Sequence, residues 1–90
     1  MEIWVFGREE CPNCKVTKKS VSDFLENNAI SSSVRHVYYD MDTVDGLAEG
    51  AFHDVRSIPT TIIHDNGRDL ARWDGIVPPT DELAERISSG

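Results

Sequence analysis

Two cysteines offer the clearest chemistry in the sequence. Cys11 and Cys14 are the only cysteines in the chain, three positions apart in the segment Cys11-Pro12-Asn13-Cys14. This segment follows the apolar run 3–6 and precedes a stretch with helical periodicity. Cys11 should therefore lie at a helix start, where unpaired N–H groups and the positive end of the helix dipole favour a thiolate. We expect its pKa to fall below the ordinary value of about 8.5, and Cys14, one turn later, to form a reversible disulfide with it.

The Cys-x-x-Cys spacing alone leaves three interpretations open: a redox couple, half of a metal site, or two unrelated thiols. A structural zinc normally needs two further cysteine or histidine ligands, usually also closely spaced. The histidines of this chain, His36, His53 and His64, are isolated from one another. The context favours dithiol redox chemistry, without a bound metal or organic cofactor. The alternative of another class is a module in which Cys11 and Cys14 hold zinc, copper or a bridging iron–sulfur cluster.

Length and charge narrow the class of protein. Ninety residues with 39% hydrophobic content predict one domain, residues 1–90, whose core needs no structural disulfide. The formal net charge of −7 argues against a nucleic-acid partner, because no basic face of useful size is available. We expect neither a leader nor a membrane span, because the sequence has no basic-then-apolar segment near Met1 and no apolar run of sufficient length. We therefore expect a monomeric, cytoplasmic protein with no membrane partner.

One small basic cluster lies beside the cysteines and consists of Arg8, Lys15, Lys18 and Lys19. Such a cluster is either a solvated helix face or a means of holding an anionic substrate and stabilising the thiolate. The sequence leaves both interpretations open.

Hydrophobic periodicity predicts alternating strands and helices in the order β-α-β-α-β-β-α. Strands are expected at 2–6, 34–40, 60–64 and 69–73, and helices from Cys11, from about Thr43 and from about Pro79. The pair Asn66-Gly67 between the last two strands predicts a tight hairpin turn. In the second helix we expect an inward apolar face, weakened by Gly46 and Gly50, that consists of Val44, Leu47, Ala48, Ala51 and Val55. In the third we expect Leu83, Ala84 and Ile87 to face inward.

Two separated segments together resemble the thioredoxin/glutaredoxin superfamily: Cys11-Pro12-Asn13-Cys14 and Val55-Arg56-Ser57-Ile58-Pro59-Thr60. The resemblance covers nearly the whole chain. It implies a three-layer α/β/α fold with a four-stranded mixed sheet, and a cis peptide bond before Pro59. It also implies that the loop containing Ile58 and Pro59 packs against the cysteines and pairs with the backbone of a substrate.

Three branches of this superfamily share features with the chain. Arg8, three positions before Cys11, is similar to a basic residue of glutaredoxins that holds a glutathione carboxylate, whereas their Gly-Gly and following Asp residues are missing here. The Trp73-Asp74-Gly75 segment resembles the NrdH-type redoxins, which take electrons from thioredoxin reductase and pass them to ribonucleotide reductase. The C-terminal half resembles thioredoxins, although Val5 stands where these have a buried aspartate.

The resemblance implies a small thiol–disulfide oxidoreductase, of glutaredoxin-like or NrdH type, that reduces disulfides in partner proteins for electron transport and redox homeostasis. Cys11 would be the nucleophile and Cys14 the resolving thiol. A thioredoxin-reductase-type enzyme would supply electrons, with glutathione as the alternative donor and ribonucleotide reductase as an expected acceptor. The expected substrate contacts are Arg8, Pro12, Lys15, Ile58, Pro59, Trp73 and Gly75, although Trp73 could equally be an ordinary strand-end aromatic.

Overall fold

A computed structural model describes residues 1–89 and confirms the predicted order of strands and helices. The first half contains a strand, the helix after the cysteines and a second strand; the second half contains a helix, two strands and a last helix. The elements are β1 (Glu2–Gly7), α1 (Pro12–Asn27), β2 (Arg35–Asp40), α2 (Val44–Phe52), β3 (Thr60–Asp65), β4 (Arg68–Asp74) and α3 (Thr80–Ser89).

The four strands form one mixed sheet in the order β2-β1-β3-β4. β1 pairs in parallel with β2 and antiparallel with β3, and β3 pairs antiparallel with β4. The parallel pair is joined through α1, as a crossover connection requires. β1 is thus a central strand, and its C-terminal end delivers the loop that carries the cysteines.

β1 is buried on both faces, as its apolar run predicts. Ile3 and Val5 belong to one hydrophobic cluster, with α1 and α3, whereas Trp4 and Phe6 belong to a second cluster on the opposite face. Trp4 is only 7% exposed. Because successive side chains of a strand point to opposite faces, one strand supplies both cores. The result is the expected three-layer α/β/α arrangement.

The β3–β4 turn contains the predicted pair Asn66-Gly67. Asn66 has φ 53° and Gly67 has φ 81°, so both central residues adopt the left-handed conformation. This conformation suits a two-residue hairpin turn whose twist matches that of the flanking strands. The turn pairs Asp65 with Arg68, and a register shift between Ile63 and His64 then pairs Thr60 with Asp74 at the far end of the hairpin.

Helix α2 corrects one expectation from the sequence. The predicted inward residues Val44, Leu47, Ala48 and Ala51 are exposed, and the buried positions are Gly46 and Gly50. Val55 lies beyond the helix but packs, half-buried, against the second hydrophobic cluster. A side chain at Gly46 would overlap the carbonyl oxygen of Asp40, and one at Gly50 would lie 2.6 Å from Cε of Met41. The glycines therefore allow α2 to lie directly against the chain after β2.

Helix α3 follows its prediction at two of three positions. Leu83 is fully buried and Ile87 packs against the core, whereas Ala84 is exposed. The inward face of α3 is therefore narrower than the sequence suggested. Within residues 1–89, no helix has the length and apolar character that crossing a membrane requires.

Candidate active site

Cys11 and Cys14 form a disulfide at the start of α1, with their Cα atoms 5.1 Å apart. Cys11 is the N-cap residue, Pro12 is the first helical residue, and the backbone N–H of Cys14 donates a hydrogen bond to Sγ of Cys11 at 3.1 Å. Proline fits the first helical position because it has no N–H that would need a partner there. The Sγ atom of Cys11 thus occupies the place of a capping oxygen, which favours a thiolate once the disulfide opens.

The two sulfur-bearing residues differ in exposure. Cys11 is partly exposed, whereas Cys14 is fully buried on the inner side of α1. Gly7, at the end of β1, lies directly beneath Cys14, since a Cβ built on Gly7 would be 2.7 Å from the Cβ of Cys14. A partner can therefore approach Cys11 but cannot approach Cys14 from solvent.

The loop before β3 has the conformation that the resemblance implies. The Ile58–Pro59 peptide bond is cis, Pro59 is buried and Ile58 is partly exposed. The N–H of Gly75 donates to the carbonyl oxygen of Pro59 at 2.8 Å, and the positive φ of Gly75, 75°, suits glycine. The structure therefore brings Ile58, Pro59 and Gly75 together, although they are distant in sequence.

Arg8 and Lys15 flank the cysteines with two cations. The carbonyl oxygen of Arg8 accepts a hydrogen bond from the N–H of Cys11 at 3.2 Å, and its Nε lies 3.5 Å from a carboxylate oxygen of Asp42. Both side chains line a surface cavity of about 420 Å³ together with Lys18, Lys19, His36 and Tyr38. Arg8 also lines a second groove, of about 410 Å³, with Leu47 and Ile58. Arg8 is thus placed between the cysteines and the cis-proline loop.

Trp73, which the sequence predicts as a substrate contact, is largely buried. Its side chain is 8% exposed and packs in the cluster with Leu83, and its Nε1 donates to a carboxylate oxygen of Glu82 at 3.0 Å. The structure therefore places Trp73 in the core as a strand-end aromatic, with little exposed surface for the expected substrate contact.

Sequence reasoning missed one polar group near the cysteines, the hydroxyl of Tyr38. A Cβ built on Gly7 would be 2.9 Å from Sγ of Cys14 and 3.0 Å from Oη of Tyr38, so both atoms border the same point. Tyr38 packs on the α1 face of the sheet, whereas Tyr39 stacks on Phe6 on the other face. Alternation along β2 predicts that the two tyrosines separate in this way, but it does not show which one lies near Cys14.

Within residues 1–89, no group of three or more His, Cys, Asp or Glu residues is arranged to hold a metal ion. The chemistry that the pair itself supports is reversible conversion between two thiols and one disulfide.

Comparisons with known proteins agree with this fold and site. A family model described as "Thioredoxin domain" matches residues 1–88. The fold and the paired cysteines are those of a thiol–disulfide oxidoreductase of the thioredoxin/glutaredoxin superfamily. The chain belongs to the thioredoxin-domain family. A search of curated protein sequences finds no match.

Solved structures of thioredoxins have the same fold. Thioredoxin-2 of the malaria parasite, described as a component of its protein secretion machinery, aligns with TM-score 0.82 and 20% identity over 99% of this chain and 82% of that chain. Thioredoxin 1 of Thermosipho africanus aligns with TM-score 0.72 and 20% identity over 99% and 92% of the two chains. The Drosophila thioredoxin Deadhead aligns with TM-score 0.74 and 23% identity over 98% and 78%. At these identities the likeness concerns the fold.

Proposed function

We propose that this protein is a dithiol electron carrier that reduces disulfides in partner proteins and is itself reduced by an enzyme of the thioredoxin-reductase type. The observation that carries the proposal is the unequal placement of the two sulfurs. Cys11 is partly exposed and its Sγ accepts the N–H of Cys14, whereas Cys14 is buried directly behind it. The thiol of Cys11 is accessible to a partner, whereas the thiol of Cys14 can react only with Cys11 in the same chain.

The reaction consists of two exchanges. The thiolate of Cys11 attacks a sulfur of the partner's disulfide, so that one partner sulfur leaves and a mixed disulfide forms. The thiolate of Cys14 then attacks Sγ of Cys11, the bond from Cys11 to the partner breaks, and the second partner sulfur leaves. The partner gains two electrons, and the disulfide seen in this structure is the product on the carrier.

Ile58, Pro59 and Gly75 form the contact surface for the partner, since they lie together and the cis-proline loop is partly exposed at Ile58. Arg8, Pro12 and Lys15 complete this surface from the side of the cysteines. The Trp73-Asp74-Gly75 segment supports ribonucleotide reductase as an acceptor, by its resemblance to NrdH-type redoxins.

Glutathione is the alternative electron donor. Arg8 and Lys15 are exposed cations beside the cysteines, and they are suited to the carboxylates of a small anionic thiol. Against this alternative, the segment 73–81 lacks the paired glycines that glutaredoxins use for the other end of glutathione.

The donor is tested by reducing the oxidised protein and counting thiols over time, in one reaction with NADPH and thioredoxin reductase and in another with reduced glutathione. We expect fast appearance of two thiols per chain with the reductase. Fast reduction by glutathione alone would instead assign the protein to the glutathione-dependent class. The double variant Cys11→Ser/Cys14→Ser is the control, since it should gain no thiols in either reaction.

The roles of the cysteines are tested with an insulin-type protein disulfide as substrate. Cys11→Ser should abolish reduction, and Cys14→Ser should accumulate a mixed disulfide, detectable by mass spectrometry. Unimpaired multiple turnover by Cys14→Ser, without added thiol, would contradict the assignment. Metal analysis of the purified wild-type protein separates the carrier from a metal-binding module, because only the module should retain a stoichiometric metal that Cys14→Ser loses.

A further inference from the structure

In the resolving step, Cys14 must act as a thiolate although its side chain is buried. Cys14 has no exposed surface, and the cluster on its side of the sheet is formed by apolar residues such as Val5, Val21 and Phe24. Burial disfavours the charged form of an acid, so a thiolate there needs a hydrogen-bond donor. The same need arises in the reverse direction, because Cys14 is the sulfur that leaves when a reductase attacks Cys11.

The hydroxyl of Tyr38 is placed to supply that donor. Both atoms lie close to the position that a Cβ on Gly7 would occupy: Oη of Tyr38 is 3.0 Å from it and Sγ of Cys14 is 2.9 Å from it. Because Gly7 has no side chain, nothing larger than its hydrogen stands at that point. Within residues 1–89, the hydroxyl of Tyr38 has no hydrogen-bond partner in the disulfide state.

The position of the tyrosine ring is fixed by its neighbours. Tyr38 pairs with Val5 in the register between β2 and β1, and its ring packs against the α1-side cluster. Nζ of Lys18 lies 4.4 Å from the ring centroid. The hydroxyl is therefore held at one place beside Gly7, which lowers the entropy cost of a hydrogen bond to Cys14.

The hydroxyl also keeps its proton. Burial raises the pKa of Tyr38 above its ordinary value, and the nearby carboxylates of Asp40, Glu9 and Asp42 raise it further. The other titratable groups around the ring line the same cavity: the cations Arg8, Lys15, Lys18 and Lys19, the carboxylate of Asp23, and His36. A neutral tyrosine can donate a hydrogen bond but cannot accept the proton of Cys14, which must pass to water.

We infer that Tyr38 donates a hydrogen bond to the thiolate of Cys14 whenever the Cys11–Cys14 bond is open. The inference rests on the proposed function, in which Cys14 resolves the mixed disulfide. In the resolving step Cys14 loses its proton to solvent, its thiolate forms the bond to Sγ of Cys11, and the partner sulfur leaves with the electron pair of the broken bond. Tyr38 stabilises the attacking thiolate, and in the reverse direction it stabilises the same thiolate as a leaving group.

The test is a stopped-flow reaction of the reduced protein with one equivalent of 5,5′-dithiobis(2-nitrobenzoate), which releases one coloured thiolate as Cys11 attacks and another as Cys14 resolves. We expect Tyr38→Phe to leave the first, concentration-dependent phase unchanged and to slow the second about tenfold at neutral pH. The pH midpoint of the second phase should rise by about one unit, as loss of a hydrogen bond to a charged group predicts.

Tyr39→Phe is the matched control, because it removes the same hydroxyl from the neighbouring residue on the opposite face of β2. It should leave both phases unchanged. A second measurement uses Cys11→Ser as the background, in which the pH midpoint for ionisation of Cys14, followed by the carbon NMR shift of its Cβ, should rise on Tyr38→Phe but not on Tyr39→Phe. Equal release of the second thiolate in wild type and Tyr38→Phe at every pH would overturn the inference and leave the proposed function intact, whereas release of only one coloured thiolate per wild-type chain would overturn both.

Discussion

At the scale of single residues, this site depends on small differences in placement. Cys11 and Cys14 are chemically identical, yet the N-cap position exposes one sulfur and the first turn of α1 buries the other. Gly7 allows Cys14 to pack against β1, since any side chain there would contact its Sγ. The unequal exposure of the two sulfurs therefore follows from their positions on α1 and from the glycine that lies behind Cys14.

His36, which shares a cavity wall with Tyr38, couples folding stability to pH. Burial lowers its pKa from 6.5, the positive charge of Lys18 lowers it further, and its Nε2 is buried without a hydrogen-bond partner within residues 1–89. The unfolded chain therefore binds a proton before the folded chain does. This contribution to stability is complete above the unfolded pKa of 6.5 and is lost progressively as the pH falls below it.

Urea unfolding at pH about 7.5 and about 5.5 measures this effect. We expect wild type to lose more unfolding free energy between these two conditions than His36→Gln, which cannot gain the proton. The carboxylates contribute to both proteins alike, so the difference between them isolates His36. An equal loss in the two proteins would show that His36 takes up its proton as readily in the folded state.

At the scale of elements, α2 shows a conflict between helix propensity and packing. Glycine in a helix interior is about 1 kcal/mol less favourable than alanine, so propensity alone predicts that Gly46→Ala stabilises the protein. The structure predicts the opposite sign, because the added Cβ would overlap the backbone carbonyl of Asp40. At Gly50 the nearest atoms are Cε and Sδ of Met41, at 2.6 and 2.9 Å, and this flexible side chain can move aside.

We therefore expect Gly46→Ala to reduce the free energy of unfolding by about 1–3 kcal/mol, and Gly50→Ala to reduce it by less. Chemical denaturation of the two variants beside wild type measures the order. Ala48→Gly is a matched control on an exposed face of the same helix, and it should cost only the propensity term of about 1 kcal/mol. If Gly46→Ala were as stable as wild type, α2 could not lie as close to Asp40 as the structure shows.

Most elements could be predicted from the sequence because their signals are local. The apolar run of β1, the Asn66-Gly67 turn and the Cys-Pro-x-Cys helix start each indicate one structure, and each was confirmed. The inward face of α2 could not be predicted, because which side of a helix is buried there depends on how closely two backbones approach. Hydrophobicity predicted that Val44 and Leu47 are buried, whereas Gly46 and Gly50 are buried because α2 lies close to Asp40 and Met41.

Only part of the candidate site could be predicted from the sequence. Two sequence motifs identified the cysteines and the cis-proline loop, but the loop's position beside Gly75 depends on the β3–β4 hairpin. The place of Tyr38 depends on the register between β1 and β2, which pairs it with Val5. Local periodicity shows which residues of a strand share a face, but not which residue of a distant segment each one meets, so these parts of the site became visible only in the folded chain.

At the scale of the whole molecule, an electron carrier must keep one fold in two redox states. The Cys11–Cys14 bond closes a very short loop, so in the chain-entropy model it contributes at most about 2 kcal/mol to stability. The two hydrophobic clusters and the four-stranded sheet do not contain this bond, and they should hold the fold without it. We therefore expect the reduced protein to remain folded, with an unfolding free energy lower than that of the oxidised protein by no more than this amount.

Circular dichroism during urea unfolding, with and without a reductant, tests this expectation. The double variant Cys11→Ser/Cys14→Ser controls for the reductant itself, since its midpoint should be the same in both conditions and close to that of the reduced protein. If reduction unfolded the wild-type chain, the disulfide would be a structural bond. Such a chain could not cycle between dithiol and disulfide as the proposed carrier must, because each reduction would destroy the surface of Ile58, Pro59 and Gly75 that we propose as the partner contact.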